Sequence, residues 1–330
     1  MTGHVHPRAV VKMLLQDSAP PRPLVMPLIF SWGIRVGAGD ITRKAFLADA
    51  TKIAHALHLM WQNMPCDAYT CYYDPLLVAE ALGASLIWSS DGSSAHVETA
   101  PLGADGLPDG LRTPDEVASA GRVRVALEVV KRFKIQREGP LRLVGLSGPL
   151  STAAAVRGPS SADAPPASAL DICGSAVTAV ARATLEAGTD VLLLHEHNPP
   201  ADPEARNAAL SQLETVVNIT RFYEALPVVL LTGDSGSQFA AEIAARGLGC
   251  VTCTEWQTHP PEHAPVGKWG MALPFDVDGS REVINPERHR ELNDAIRHTR
   301  PAVVTTAGEI PVAAHWKRFA EFCVRAVSVR

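Results

Sequence analysis

One carboxylate stands out by its position. Asp74 closes the apolar and aromatic run Ala68–Tyr73 and is followed at once by Pro75 and the helix-forming segment Leu76–Ala84, which places it at the mouth of a buried strand. A carboxylate there is costly to bury without a partner, and it could accept N–H donors or stabilise positive charge developing in a substrate. The same residue could cap the helix that begins at Pro75, and the two roles are compatible. A second group, His195-Glu196-His197, ends another apolar run. Histidines two apart on a strand face the same side, so this pair could shuttle protons, bind substrate, hydrogen-bond structurally, or hold one metal ion with Asp234 or Glu255 as a third ligand.

Other polar residues fall at the same kind of position. Trp32 and Arg35 follow the first apolar run and could hold a carboxylate beside an aromatic ring, although an exposed arginine and a core tryptophan would read identically. Tyr73 adjoins Asp74 as a further substrate contact. Asp234, in Thr232-Gly233-Asp234-Ser235-Gly236, lies where a strand opens into a helix and suits a phosphate- or carboxylate-binding turn. Glu255 and Trp256 end the run Cys250–Thr254, with Trp256 as a planar wall for an aromatic ligand. Cys250 and Cys253 are three apart within a strand and so face opposite sides, which disfavours zinc or redox use. His4 and His6 follow no apolar strand and read as a terminus rather than a metal site.

The elements that must position these groups are legible as alternation. Apolar runs at Leu24–Phe30, Ala68–Tyr73, Leu141–Leu146, Asp190–Leu194, Pro227–Leu231, Cys250–Thr254, Gly270–Pro274 and Ala302–Thr306 predict eight strands. Amphipathic helices are expected between them at Arg43–Met60, Pro114–Phe133, Gly174–Ala187, Ala205–Ala225 and Gly236–Arg246. Continuously apolar strands alternating with helices predict a closed α/β structure, a (β/α)8 TIM barrel, rather than an open doubly wound sheet. The whole of residues 1–330 is expected to form one barrel domain, with residues 1–20 as an N-terminal helical extension. Arg157–Ala169, rich in Gly, Pro, Ser and Ala, and Thr258–Lys268 are expected as irregular segments near the catalytic end.

Composition narrows the partners. A net charge of -5 with interspersed signs gives no footprint for nucleic acid or an anionic membrane surface. No run approaches the length of a membrane span, and Met1–Leu15 lacks the continuous apolar core of a signal peptide. Six sparse cysteines fit reduced thiols in a cytoplasm better than a disulfide framework. A small molecule is the expected partner.

With these residues in view, the chain resembles the uroporphyrinogen decarboxylase superfamily. Tyr72-Tyr73-Asp74 followed by Val78-Ala79-Glu80-Ala81-Leu82-Gly83 is similar to the family segment in which a strand ends at an aspartate and runs into an "ealG" helix. Gly145-Leu146-Ser147-Gly148-Pro149, Leu185-Glu186-Ala187-Gly188-Thr189-Asp190 and Pro227-Val228-Val229-Leu230-Leu231-Thr232-Gly233-Asp234 match later family turns in the same order. The resemblance implies a (β/α)8 barrel and places Asp74 on the aspartate that grips pyrrole N–H groups in the decarboxylase. It also implies relatives that are often dimers, so a homodimer is expected.

The departures bear on substrate. Where the decarboxylases carry an arginine-rich turn, this chain reads Phe30-Ser31-Trp32-Gly33-Ile34-Arg35-Val36, with Arg35 alone as a stand-in. A family tyrosine is replaced within Ala153-Ala154-Ala155-Val156, and a late histidine turn is missing from Thr305-Thr306-Ala307-Gly308-Glu309. The superfamily's zinc-dependent methyltransferases need a histidine and cysteines where this chain has Leu230-Leu231-Thr232-Gly233 and Thr306-Ala307-Gly308. The expectation is a decarboxylase-like lyase without a cofactor, acting on a carboxylated aromatic or pyrrolic molecule with Asp74, His195 and His197 as catalytic groups. The alternatives are a divergent methyl or alkyl transferase using corrinoid, folate or thiol substrates, with any zinc relocated to His195 and His197, and a non-catalytic barrel that binds a tetrapyrrole or corrinoid.

Overall fold

The structure, a computed structural model, describes residues 5–63, 66–99, 112–134, 139–158, 164–233, 236–253, 268–273, 300–310 and 312. In chain order the elements begin with helix α1 (Pro7–Leu15), strand β1 (Leu24–Val25), a π-helical turn (Ile34–Ala38), helices α2 (Arg43–Leu47) and α3 (Ala50–Asn63), strand β2 (Ala68–Tyr73) and helix α4 (Leu77–Leu82). A hairpin of β3 (Ser85–Trp88) and β4 (Ala95–Thr99) follows, then α5 (Pro114–Ala118), α6 (Val123–Lys134), β5 (Leu141–Ser147), α7 (Pro149–Arg157) and α8 (Ala167–Ala187). The remainder is β6 (Val191–His197), α9 (Pro203–Phe222), β7 (Leu226–Thr232), α10 (Gly236–Ala245), β8 (Cys250–Cys253), β9 (Trp269–Leu273) and β10 (Val303–Thr306).

Eight of the strands form one sheet in the order β1-β10-β9-β8-β7-β6-β5-β2, and every pairing in it is parallel. Consecutive strands of a sheet in this order, with helices in the crossovers that the described residues cover, make the (β/α)8 barrel the sequence predicts. All six residues of β2 are buried, as are the first four of β6 and the first six of β7. Strands covered on both faces need apolar residues at consecutive positions, which is why these segments carry no period-two alternation.

The barrel closes between β1 and β2 by a side chain rather than by a ladder. The apolar run Leu24–Phe30 yields only a two-residue strand, because Pro27 has no N–H to continue the pairing. Asp67, just before β2, bridges the gap: its Oδ2 accepts from the Val25 amide at 2.8 Å, and its own amide donates to the Val25 carbonyl at 2.9 Å. Arg22 holds that carboxylate with two N–H groups at 2.6 and 2.8 Å and also donates to the Val5 carbonyl at 3.1 Å. Asp190, just before β6, is built the same way. It accepts from the Arg142 backbone at 2.9 Å and from the Arg142 guanidinium at 2.8 and 2.9 Å, and it also pairs with Arg8 of α1. These two aspartates tie α1 and its flanks to the N-terminal end of the barrel, leaving the C-terminal end open for chemistry.

Three departures from the expected elements have local causes. The helix expected at Arg43–Met60 is two helices, because the Asp49 carboxylate accepts from the Thr51 and Lys52 amides at 2.9 and 3.0 Å and so starts α3 afresh. The Pro114–Phe133 helix breaks at Gly121, whose φ of 45° no helix accommodates. The β3–β4 hairpin was not among the expected strands. It turns at Asp91-Gly92, where Gly92 has φ 66° and the Asp91 carboxylate accepts from the Ser93 amide at 3.0 Å.

Helix α8 starts at Ala167, inside the expected irregular segment Arg157–Ala169, and residues 159–163 of that segment lie outside the described residues. His6 caps α1 through its Nδ1, which accepts from the Arg8 amide at 3.3 Å. The cysteines at 66, 71, 173 and 250 are free thiols, and burial pushes each up to about 12. Among the described residues no helix is long and apolar enough to cross a membrane.

The side-chain closure predicts an unequal pair of variants. Asp67→Ala leaves the Arg22 charge, 9% exposed, without its partner and is expected to lower unfolding free energy by about 3–5 kcal/mol in urea titration. Arg22→Met with Asp67→Asn together should cost less than Asp67→Ala alone, because no unpaired charge remains buried.

Candidate active site at the barrel mouth

The strand register sets which side chains meet. Tyr73, Gly145 and Leu193 are paired across β2, β5 and β6; Ser147, His195 and Leu230 form the next level, and His197 pairs with Thr232. Residues paired in register project to the same side of a sheet. Gly145 is required at its position, since a Cβ there would lie 2.4 Å from the Tyr73 ring. The missing side chain lets that ring extend to His195.

A hydrogen-bonded chain follows along this surface. Tyr73 Oη lies 2.8 Å from His195 Nδ1, and His195 Nε2 lies 2.7 Å from Thr232 Oγ1. Thr232 Oγ1 in turn lies 3.0 Å from His197 Nδ1, and His197 Nε2 lies 3.0 Å from the Asn198 side-chain amide. Burial, with His197 close by, lowers the His195 pKa to about 4, so its ring is neutral near pH 7. Burial raises Tyr73, with Glu309 adding to the shift and Arg43 opposing it, so the phenol keeps its proton.

Glu196 alternates to the opposite side and serves the scaffold. It is fully buried, and its carboxyl oxygens accept from the Leu150 and Ser151 amides at 3.1 and 2.8 Å. Helix α7 is preceded by Gly148 at the cap position, which has no side chain to offer, so Glu196 supplies the cap from a neighbouring strand. A Cβ on Gly148 would lie 2.3 Å from the Glu196 Oε1. Burial raises Glu196 to about 7 despite those amides.

Asp74 is buried and already partnered. Its carboxylate pairs with Arg122, the residue just before α6, and accepts from the Leu76 amide at 3.0 Å. Arg122 also bonds Glu80 at 2.5 Å and lies over the Trp88 ring, 5.7 Å from its centroid. The Leu76 bond makes Asp74 the start of a turn, while α4 itself begins with Leu76 as a cap residue that offers no side-chain bond. Across the mouth, Glu309 bonds the Ser31 amide and pairs with Arg43 at 3.0 Å, and its pKa is raised by burial against the pull of Arg43. Glu309 and Asp74 both act on Tyr73, which places the three in one neighbourhood.

The other expected site residues divide. Trp32 is buried, 6% exposed, and Arg35 is exposed on the π-helical turn. Asp234, Glu255 and Trp256 lie outside the described residues, as does most of Thr258–Lys268. Thr232, Asn198, Arg43, Arg122 and Glu309 are members of the site that were not expected. Thr232 carried a usable signal, being the first polar residue after the run Pro227–Leu231, as Asp74 is after its own run. Arg122 carried none, since its partner Asp74 is 48 residues away.

A zinc ion does not fit the donors seen here. Three ring nitrogens of His195 and His197 face Tyr73 and the one Thr232 hydroxyl, and the fourth faces Asn198. Among the described residues no group of three His, Cys, Asp or Glu side chains could hold a metal.

Comparison with known proteins places this geometry in context. A family model described as uroporphyrinogen decarboxylase (URO-D) matches residues 38–325. Among solved structures, a methyltransferase from Methanosarcina mazei superposes with a TM-score of 0.77 at 15% identity, covering 98% of this chain and 98% of that one. A B12-independent methionine synthase from Shewanella sp. W3-18-1, in complex with selenomethionine, superposes with a TM-score of 0.52 at 8% identity, covering 94% of this chain and 96% of that one. At these identities the likeness shows a shared fold. No curated protein matches the chain.

Glu196 generates a signed pH prediction. Its folded value of about 7 exceeds the ordinary 4.5, so between those values the folded state holds a proton that the unfolded state has released. Stability from this group therefore falls as pH rises from 4.5 to 7. Glu196→Gln, which retains an acceptor for α7, is expected to remove that slope, measured by urea unfolding at a series of pH values.

Proposed function

The chain belongs to the uroporphyrinogen decarboxylase family, and from that premise we propose that it is an enzyme transferring a methyl or other alkyl group between small molecules, with Tyr73 and His195 exchanging a proton with the reacting group. The observation that carries this reading is the Tyr73–His195 contact of 2.8 Å at the barrel mouth, a neutral acid–base pair continued by Thr232 and His197. In alkyl transfer the bond to the acceptor forms as the bond to the donor atom breaks. Either the acceptor loses a proton or the departing atom gains one, and a positioned acid–base pair contributes roughly 100- to 10,000-fold to such a step.

Charge pairing supports a substrate with few carboxylates. Arg43 is bound to Glu309, and Arg122 to Asp74 and Glu80. Neither guanidinium is left as a lone cation for a polycarboxylate such as a porphyrinogen to neutralise. The likeness to a methyltransferase over nearly the whole of both chains is consistent with this choice. Donors and acceptors of the corrinoid, folate or thiol class fit it, and activation falls to proton transfer because Thr232 occupies part of the stretch where the zinc-dependent branch has its ligands.

One observation favours a second reading, decarboxylation of a carboxylated aromatic or pyrrolic molecule. Asp74, which the sequence resemblance sets on the family's aspartate, is buried and paired with Arg122. Purified protein incubated with isotopically methyl-labelled methylcobalamin or methyltetrahydrofolate and a panel of thiols is expected to move label to an acceptor. Tyr73→Phe and His195→Asn should each reduce that rate by about 100-fold. Release of CO2 from pyrrole or aromatic carboxylates with no methyl transfer would overturn the reading in favour of the second. Stoichiometric zinc in the active protein would overturn the metal-free activation.

A further inference from the structure

The chain of hydrogen bonds at the mouth has a direction, and Asn198 is the residue that can set it. A neutral imidazole has one N–H and one acceptor nitrogen. Among the described residues the Thr232 hydroxyl bonds the two rings and no other group, so for its own proton to be bonded it must accept from one ring and donate to the other. The links span Tyr73 to Asn198 at 2.8, 2.7, 3.0 and 3.0 Å, each within ordinary hydrogen-bond range. Either polarity would satisfy those distances.

Asn198 breaks the tie. It is held in the left-handed region, φ 49°, and its backbone amide donates to the Thr232 carbonyl at 2.9 Å. Its side-chain oxygen rests on Gly233, where a Cβ would lie 1.8 Å from it, and its nitrogen faces His197 Nε2. Reversing the amide would turn its oxygen to the ring, where an Nε2–H could donate to it, but would press the NH2 group against the glycine carbon, which accepts nothing. With the NH2 on His197, Nε2 must accept. His197 then carries its proton on Nδ1 and donates to Thr232, Thr232 donates to His195 Nε2, and His195 carries its proton on Nδ1 and donates to Tyr73 Oη.

We propose that Asn198 and Thr232 are positioning residues that polarise this relay, so that Tyr73 rests as the proton donor of the site and His197 as its opening to solvent. Among the described residues Tyr73 Oη has His195 as its hydrogen-bond partner, and there it accepts, which leaves its own proton free for a bound molecule. His197 and Asn198 are exposed at the far end. When Tyr73 protonates a departing or carbanionic atom, its O–H bond breaks and the bond to the substrate atom forms. The His195 Nδ1 proton then moves to Tyr73, the Thr232 proton to His195 Nε2 and the His197 Nδ1 proton to Thr232, while water protonates His197 Nε2. Every group in the relay ends neutral with the polarity reversed, and hydroxide is left in solvent. The starting polarity returns when both rings exchange the Nε2 proton for one at Nδ1 through water, the hydroxyl and the Asn198 amide turning to match.

The inference rests on the reading of the mouth as the reaction site, and its test needs no substrate, so the two can fail separately. In the full chain labelled with 15N-histidine, two-bond 1H–15N correlation NMR reads each ring's tautomer. Free histidine prefers the Nε2–H form, whereas His195 and His197 are both expected as Nδ1–H. Asn198→Asp, nearly isosteric and at ease with a positive φ, replaces the donor by an acceptor and is expected to convert both rings to Nε2–H. Thr232→Val removes the donor to Nε2 and is expected to shift His195 to the Nε2–H form, with Nδ1 then accepting a hydrogen bond from the Tyr73 hydroxyl. Finding Nε2–H at His195 in the unaltered protein overturns the proposal, as does an Asn198→Asp protein whose two tautomers are unchanged.

Discussion

The Asp67 carboxylate is the constraint on which the mouth depends. A barrel places side chains from distant strands in contact only if its first and last neighbours are joined, and here β1 is two residues long and forms no ladder with β2. Asp67 replaces that ladder by accepting from Val25 on one side while Arg22 compensates its charge on the other. The consequence reaches the opposite end of the strand. Tyr73 lies six residues along from Asp67, so the anchor at the bottom of β2, together with the register shift between Thr70 and Tyr72, determines what its ring meets at the top. That one-residue irregularity between β2 and β5 pairs Tyr73 with Gly145, which β6 follows in unbroken register to His195.

Strand alternation then divides the labour of β6 between chemistry and support. His195 and His197 face the surface shared with Tyr73 and Thr232, and Glu196 between them faces the start of α7. An apolar residue at 196 would leave the first amides of α7 without that acceptor, and an acidic one facing inward would have charged the relay. Gly148 belongs to the same solution, because its missing side chain admits the carboxyl to the helix start. One glycine and one buried glutamate thereby hold two histidines at the depth where they can share a hydroxyl.

Most of the frame was legible because it rests on local pattern. Eight apolar runs gave eight strands, and β2 begins and ends at the expected residues, since continuous burial leaves few choices. Leu24–Phe30 was read too long because its apolar character continues past Pro27 while its hydrogen bonding does not. The hairpin had its sign in Asp91-Gly92, flanked by half-exposed strands whose weak hydrophobicity hid them. The site was legible only in part. Asp74, Tyr73, His195 and His197 end apolar runs and announce themselves, whereas Asn198 and Arg122 act through partners that only the fold brings near. Which ring nitrogen faces which oxygen has no trace in sequence spacing at all.

The charges around the mouth carry the argument one step further. Two carboxylates, Asp74 and Glu309, flank Tyr73, and each is matched by an arginine drawn from the helical layer, Arg122 and Arg43. Each pair is partly withdrawn from water, so neither ion can be removed without leaving the other costly. Glu309 and Asp74 raise the phenol's pKa with burial while Arg43 opposes them, and the tyrosine remains protonated. A neutral acid inside a compensated electrostatic frame can exchange a proton with a substrate without having to bind that substrate's charge first. That arrangement separates recognition from proton transfer, because the charges beside the phenol are already paired within the protein.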